Sequence, residues 1–339
     1  MEINKLDPAK RIIVIAEMGS NHNGSLTTAK EMISAAVECG VDLVKFQTYK
    51  TDKLITKEFP VFPRARLLGY KKQIDRFKSL EFNYDQIYEL HEYSRGRNIV
   101  FLSTPFDNEA VDFLNPIVPA FKVSSGDLIN VQLLRYVASK DKPVILSTGQ
   151  ASVEEINSAI KIFKADKLAL MHCVSSYPTP DEEVNLRSIS FLKKLYNYLT
   201  IGYSDHSVGN LACISAVAMG AQIIEKHFTL DKTHQFGDHP LSADPDDLAR
   251  LVSEIRRLEE MLGTEEKLCR QCELESKKQL RRKLHINCDI KKGTVISDAM
   301  LIPLISGEGI AANRIDDVVG KTVIKDIKKG EPVSLSVLK

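Results

Sequence analysis

The sequence predicts an α/β fold: a (β/α)8 barrel followed by a small C-terminal domain. Three observations predict it. Eight short apolar runs alternate with helical patterns between residues 11 and 262. Eight such units in this stretch match the usual barrel length of about 250 residues. After Gly263 the pattern gives way to short strands and turns. An open doubly wound sheet fits less well, since it usually stops at about five or six strands, and no Gly-x-Gly-x-x-Gly loop follows the first run.

The predicted strands, in order, are Arg11–Ala16, Leu43–Gln47, Ile99–Ser103, Ala120–Ser124, Pro143–Ser147, Leu168–Cys173, Leu199–Tyr203 and Gln222–Lys226. They are short and rich in Val, Ile and Leu, as strands buried on both faces should be. A helix over Leu26–Cys39 stops at Gly40. Ser152 and Glu155 have capping-box spacing and open an amphipathic stretch to Lys164. Val208–Met219 is small and apolar, and Gly220 follows it. Asp246–Leu262 places Leu248, Leu251, Val252, Ile255, Leu258 and Leu262 on one face. The connection from Thr48 to Asn98 is too long for a bare loop; it must carry extra elements, among them a helix around Tyr84–Ser94.

The expected division is a barrel over residues 1–265, a charged linker over 266–282 and a small domain over 283–339. The last contains an internal repeat, Asp289-Ile-Lys-Lys-Gly293 and Asp326-Ile-Lys-Lys-Gly330. A unit of that size is marginal alone and should dock on something. Its lysines, Lys291, Lys292, Lys328 and Lys329, read as solvated turn residues. Cys269, Cys272, His285 and Cys288 imitate zinc-site spacing. However, His285 and Cys288 fall in an alternating stretch where residues three apart face opposite ways, which argues against a metal there.

Composition narrows the function. The 46 Lys and Arg nearly cancel the 45 Asp and Glu, which argues against nucleic acid or anionic membrane held by bulk charge. No apolar run approaches the ~18 residues of a membrane span. The N-terminal stretch has no hydrophobic signal region, so the six cysteines read as reduced thiols of a cytoplasmic protein.

In a barrel, chemistry belongs at the C-terminal ends of the strands. Those ends read Glu17; Lys45 and Gln47; Ser103 and Thr104; Lys122, Ser124 and Ser125; Ser147 and Thr148; His172; Ser204, Asp205 and His206; Glu225 and His227. Polar groups so placed are costly unless they serve a cavity. Lys45 and Lys122, amid these hydroxyls, suit a small, highly charged anion such as a phosphate with a carboxylate. Burial as ion pairs with Glu17 or Glu225 is the structural alternative, and a Schiff-base lysine is a third. His206 and His227 end adjacent strands and suit a divalent metal; the alternative is one general base and one core histidine.

The residues then become recognisable. Ile15-Ala-Glu-Met-Gly-Ser-Asn-His-Asn-Gly24, Lys45-Phe-Gln-Thr48, Ser103-Thr-Pro-Phe106, Ser125-Gly-Asp127, Leu146-Ser-Thr-Gly149, Tyr177-Pro-Thr-Pro180, Gly202-Tyr-Ser-Asp-His206 and Glu225-Lys-His-Phe-Thr-Leu-Asp231 together resemble the sialic acid synthase family. The tail, with Gly307-Glu-Gly309, Arg314 and Gly320-Lys321, resembles its antifreeze-like (SAF, β-clip) domain. The resemblance implies condensation of phosphoenolpyruvate with N-acetylmannosamine to N-acetylneuraminate and phosphate, by C–O cleavage. The same chemistry on a 2,4-diacetamido-trideoxyhexose, giving legionaminic or pseudaminic acid, is the alternative. It also implies Glu17, His206 and His227 as the catalytic set. The two histidines would ligate Mn2+ or Mg2+. Lys45, Thr104, Lys122, Ser125, Ser147 and Ser204 would contact phosphoenolpyruvate, and Gln47, Tyr177 and Asp238 the sugar. Arg314 would enter the active site of a partner in a domain-swapped homodimer. Four features depart from the family pattern: Ser175 where Asn often touches substrate, Gln150 where Met is common, Gln235-Phe-Gly-Asp238 in place of Gly-Pro-Asp, and the segment 59–76. All lie toward the sugar end. A Schiff-base pyruvate aldolase and a non-catalytic carbohydrate- or ice-binding protein are the competing readings.

Overall fold

The computed structural model describes residues 7, 8, 10–234 and 237–339, with Arg64 described by its backbone only. Gln235 and Phe236 of the departing motif, and most of the N-terminal stretch read for a signal, lie outside the described residues. The chain divides after Gly263 into two compact units.

The first unit is a TIM barrel. Its strands are β1 (Ile13–Glu17), β2 (Leu43–Thr48), β3 (Val100–Pro105), β4 (Phe121–Val123), β5 (Val144–Ser147), β6 (Leu168–Cys173), β7 (Thr200–Asp205) and β8 (Ile223–His227). All ladders are parallel, in the order β3-β2-β1-β8-β7-β6-β5-β4, and β3 and β4 lie side by side to complete the circle. The apolar runs form these strands because both faces are covered, the inner by side chains across the barrel and the outer by helices.

The helices follow from local signals. The Ser25 hydroxyl accepts from Thr28 N to open Leu26–Glu38, which buries Ala29, Met32, Ile33 and Ala36 on one stripe. The capping box at Ser152 and Glu155 forms and opens Val153–Ile160. Pro245–Leu262 buries Leu248, Leu251, Val252 and Ile255. Between β2 and β3 the chain builds helices Thr51–Leu54, Pro63–Leu67, Gln73–Leu80 and Tyr84–Arg95. No helix among the described residues is long and apolar enough to cross a membrane.

The second unit pairs β9 (Arg282–Ile286) with β10 (Leu301–Ile305) antiparallel over a small core that includes Leu284, Ile286, Ile290, Ile296, Val318 and Val333. Its repeat is reciprocal. Asp289 accepts from Lys329 N and pairs with Lys328 Nζ, while Asp326 accepts from Lys292 N and pairs with Lys291 Nζ. An antiparallel bridge joins Ile290 to Ile327. Lys291 and Lys328 are exposed at turns, as the sequence suggests, and are also paired. Each copy alone leaves an aspartate and two N–H groups unmatched, and the other copy supplies them.

Candidate active site

The strand ends enclose a cavity of about 380 Å³. Its wall carries Glu17, Lys45, Gln47, Thr104, Lys122, Ser125, Ser147, Ser175, Tyr177, Ser204, His206, His227 and Asp238. Alternation along the strands turns Glu17, Lys45, Gln47, Thr104, Lys122, Ser147, Ser204 and His227 inward, while Ser125, Ser175, Tyr177, His206 and Asp238 come from the segments that follow the strands. The ladder sets the neighbours: Glu17 lies opposite Lys45 on one side and His227 on the other, and Ser204 lies opposite Glu225.

At the base, two ammonium groups and two carboxylates share one buried cluster. Lys45 Nζ is 2.7 Å from Glu17 Oε2 and 3.7 Å from Glu225 Oε2, and donates to Thr104 Oγ1. Lys122 Nζ donates to Ser147 Oγ (2.5 Å) and Val123 O, and lies 4.0 Å from Glu225 Oε2. The anion-site and ion-pair readings of the lysines are thus compatible: each ammonium has three donors but only two partners at hydrogen-bond distance, Glu17 and Thr104 for Lys45 and Ser147 and Val123 O for Lys122. Burial pushes the Glu17 carboxyl up to about 7; Lys45 opposes this, and the neighbouring Glu225 charge adds to it. Burial also acts on Glu225, but Lys122, Lys45 and the Ser204 hydroxyl outweigh it and hold Glu225 at about 2. Burial pulls Lys122 below the ordinary lysine range, whereas Glu17 and Glu225 outweigh burial at Lys45 and keep it above that range. One carboxyl is therefore a fixed anion and the other exchanges a proton near neutrality, the usual mark of divided acid–base roles.

The two imidazoles stand above this cluster with ring centroids 5.5 Å apart. His206 Nδ1 donates to Val174 O (2.6 Å), which leaves its Nε2 as the lone-pair nitrogen. His227 Nδ1 is buried with no hydrogen-bond partner among the described residues, 3.9 Å from Asp238 Oδ2. Burial and mutual repulsion hold His206 down at about 4, and burial lowers His227 too, so both rings are neutral and ligand-competent. Gly19, at φ +49°, makes room for the His227 ring: a Cβ there would meet its Nδ1 and Cε1 at 3.0 Å. No group of three metal-ligating side chains occurs among the described residues. The arrangement fits a divalent ion held by two imidazoles, with oxygens of solvent or substrate completing its shell.

The β5 turn closes the far side. A Cβ on Gly149 would lie 2.4 Å from Ser175 Oγ, 2.8 Å from Ser125 Oγ and 3.0 Å from Cys173 Sγ, so only glycine allows these three to converge. Gly149 N donates to Ser125 Oγ. A second cavity of about 530 Å³ shares Gln47, Phe77, Tyr177 and Asp238 with the first. Most of its remaining wall comes from the long β2–β3 connection, with Phe62, Pro63, Ala65, Leu68, Leu80 and the guanidinium of Arg76.

Several strand-end residues face the other way. His172 Nε2 meets Val184 O, and Ser103 bonds Thr48, both outside the barrel lumen. Asp205 also points outward, into a buried ion pair with Lys226. Strand parity identifies the inward residue of β6 as Cys173, which the cavity contains and the sequence reading passed over. Phe77 and Arg76 carry no signal of that kind. Arg314 lies in the second unit, half-exposed, donating from Nε to Asp317 (2.6 Å). His285 bonds Gly330 O, and Cys269, Cys272 and Cys288 are exposed free thiols.

Known proteins share this architecture. The NeuB family profile matches residues 32–267, and the SAF domain profile matches residues 284–339. The N,N'-diacetyllegionaminic acid synthase of Legionella pneumophila is 39% identical, across 97% of this chain and 96% of its own. The N-acetylneuraminate-9-phosphate synthase of Homo sapiens is 35% identical, across 94% of this chain and 90% of its own. The crystal structure of N-acetylneuraminic acid (sialic acid) synthetase from Leptospira borgpetersenii, solved with citrate, superposes with a TM-score of 0.71 at 39% identity, covering 78% of this chain and 90% of that one. With the eight-stranded barrel, the charged cluster at its mouth and the small repeat-built tail, these matches make the chain an enzyme of the NeuB family that carries a C-terminal SAF domain.

Proposed function

We propose that this enzyme condenses phosphoenolpyruvate with the open-chain form of an N-acylated aminohexose, releasing phosphate and forming a nine-carbon 2-keto acid. The observation that carries the reading is the single cavity in which Lys45 and Lys122, each with a donor to spare, lie beside two neutral imidazoles and a carboxyl near 7. Lys45, Thr104, Lys122, Ser125, Ser147 and Ser204 bind the phosphate and carboxylate of phosphoenolpyruvate. Gln47, Ser175, Tyr177 and Asp238 orient the sugar where the two cavities meet. His206 and His227 hold a divalent ion, Mn2+ or Mg2+, which when bound supplies a Lewis acid for the sugar aldehyde.

The carbon 2–carbon 3 π pair of phosphoenolpyruvate forms the bond to the aldehyde carbon; the carbonyl π pair moves to the aldehyde oxygen, which takes a proton from Glu17, and carbon 2 is left as an oxocarbenium centre. Water then adds to carbon 2 and returns a proton to the Glu17 carboxylate. The bond between carbon 2 and the bridging oxygen then breaks, the electron pair leaves with phosphate, and the carbon 2 hydroxyl gives its proton to that departing phosphate as the keto group forms. Gln47 Nε2, which donates to Glu17 Oε1 (3.1 Å), fixes the carboxyl for both transfers. Arg314 completes the site from a partner subunit in a domain-swapped homodimer; its half-exposed guanidinium and the small size of its unit support this. The free thiols support a cytoplasmic setting.

N-acetylmannosamine is the first acceptor to test. The second cavity favours another reading: its wall of Phe62, Pro63, Ala65, Leu68, Phe77 and Leu80 suits a deoxygenated sugar with a methyl terminus, as in 2,4-diacetamido-trideoxyhexoses. Purified protein with Mn2+, phosphoenolpyruvate and each sugar, including N-acetylmannosamine 6-phosphate, should release phosphate and keto acid with one of them, and lose turnover in EDTA. No product with any of them refutes the proposal. Borohydride trapping of Lys45 or Lys122 with pyruvate would instead establish the aldolase reading.

A further inference from the structure

We propose that the Asp205–Lys226 ion pair is a positioning clamp that sets the spacing of His206 and His227. The inference rests on the reading of those imidazoles as cation ligands. The pair lies on the outer face of the barrel wall, opposite the cavity. Asp205 and Lys226 are register partners across the β7–β8 ladder, and each immediately precedes one of the histidines. Lys226 Nζ is 2.7 Å from Asp205 Oδ2, and both side chains are wholly buried.

The bonds around the pair bracket His206. Asp205 Oδ1 accepts from Ser207 N (2.9 Å) and Ser207 Oγ (2.7 Å), which closes a side-chain turn over the intervening His206. Tyr203 OH donates to the same oxygen at 2.8 Å. Lys226 Nζ also donates to Ser207 O (2.6 Å), so one ammonium ties the residues on both sides of His206 to the strand that carries His227. From the remaining side, Thr179 N donates to His206 O (2.9 Å). The backbone that carries one imidazole is thus fastened to the backbone that carries the other. Neither charged group reaches the cavity.

Stability alone does not account for such a pair. Removing two charges from water costs about as much as their attraction returns, and apolar replacements of similar volume are often neutral or stabilising. What an apolar pair cannot supply is direction: five hydrogen-bonding contacts converge on Asp205, and together they fix the turn at His206. Outer groups that orient metal ligands typically change metal affinity about ten- to a hundredfold when removed.

The test is Mn2+ titration calorimetry on chelator-treated full-length protein, with phosphate titration and thermal unfolding alongside. Asp205→Asn removes the charge and keeps the shape. An Asp205→Leu, Lys226→Met double variant removes both charges without leaving either unpaired, and it carries the test if the single variant does not fold. The clamp predicts that Mn2+ affinity falls about ten- to a hundredfold in the folded double variant while its phosphate affinity holds; thermal unfolding in EDTA verifies that the variant is folded at the titration temperature. A folded double variant that binds Mn2+ as tightly as wild type overturns the clamp and leaves the ligand reading standing. Wild-type protein that binds no Mn2+ overturns the ligand reading itself, and the clamp with it.

Discussion

Glu225→Gln isolates the electrostatics of the barrel mouth. The amide keeps the volume of the side chain and an oxygen for the Ser204 hydroxyl, but it removes the one anion that both lysines face. A carboxyl held at about 2 instead of 4.5 contributes ~3 kcal/mol to folding at neutral pH, at about 1.36 kcal/mol per pKa unit. Breaking a buried ion pair by removing one partner costs about 3–5 kcal/mol, the same range. The variant should therefore unfold roughly 6–12 °C below wild type at pH 7 in EDTA, taking about 2–4 °C per kcal/mol for a unit of this size.

The sign of the pH dependence is fixed. Glu225 is depressed in the folded state, so its contribution is present above the unfolded value of 4.5 and is lost as pH falls toward 2. The amide mimics the protonated acid, so the deficit of the variant should shrink on acidification, to roughly half by pH 3. Urea unfolding of both proteins at pH 7, 4.5 and 3 reads this directly. A variant within about 0.5 kcal/mol of wild type at pH 7, or a deficit that stays constant down to pH 3, refutes the reasoning. Phosphate returns negative charge to the ammonium groups and should recover part of the loss.

Four further outcomes are expected. Glu17→Gln should lower turnover about 10²–10⁴-fold and remove the pH–rate limb near 7, measured by phosphate release. Binding of phosphate beside Glu17 should draw a proton onto that carboxyl around pH 7 in wild type and not in Glu17→Gln, as seen by calorimetry in buffers of different ionisation enthalpy. Gly149→Ala should cost about 1–3 kcal/mol of stability and raise the KM for phosphoenolpyruvate, because its methyl group meets Ser175, Ser125 and Cys173. Arg314→Ala, like truncation after residue 280, should abolish turnover and leave the barrel folded by circular dichroism; retained activity would remove the tail from the site.

The barrel was legible because its strands are buried on both faces, and that demand writes itself as short runs of Val, Ile and Leu. The candidate site was legible for a related reason: Lys45, Lys122 and Glu225 stand in those runs at high cost, and a cavity is what makes the cost tolerable. Facing direction was less legible. His172, Ser103 and Asp205 are polar strand-end residues like the others, and only register and parity send them outward while Cys173 turns in. The second cavity left no readable mark. Phe62, Arg76 and Phe77 converge through the folding of a long connection with no fixed period, so nothing in their spacing announces a shared wall. The reciprocal repeat lay between these cases. Its recurrence was visible, but the pairing of each aspartate with the lysines of the other copy required the two turns to meet face to face.

Strands β7 and β8 carry charge on both faces, and counting acceptors separates the two clusters. Outside, Asp205 is saturated by Tyr203, Ser207, Cys213 and Lys226, which leaves it no lone pair for a new partner. Inside, Glu225 Oε2 accepts no hydrogen bond among the described residues, and the lysines hold it only at 3.7 and 4.0 Å. A saturated pair resists change and a loosely held one can reorganise when a stronger anion arrives, since a bound phosphate offers Lys45 and Lys122 shorter, charge-assisted bonds than Glu225 does. The wall thus keeps its rigid charges away from the reactants and its adjustable ones against them, which is the division a site needs if it must hold its histidines fixed while a multiply charged substrate comes and goes.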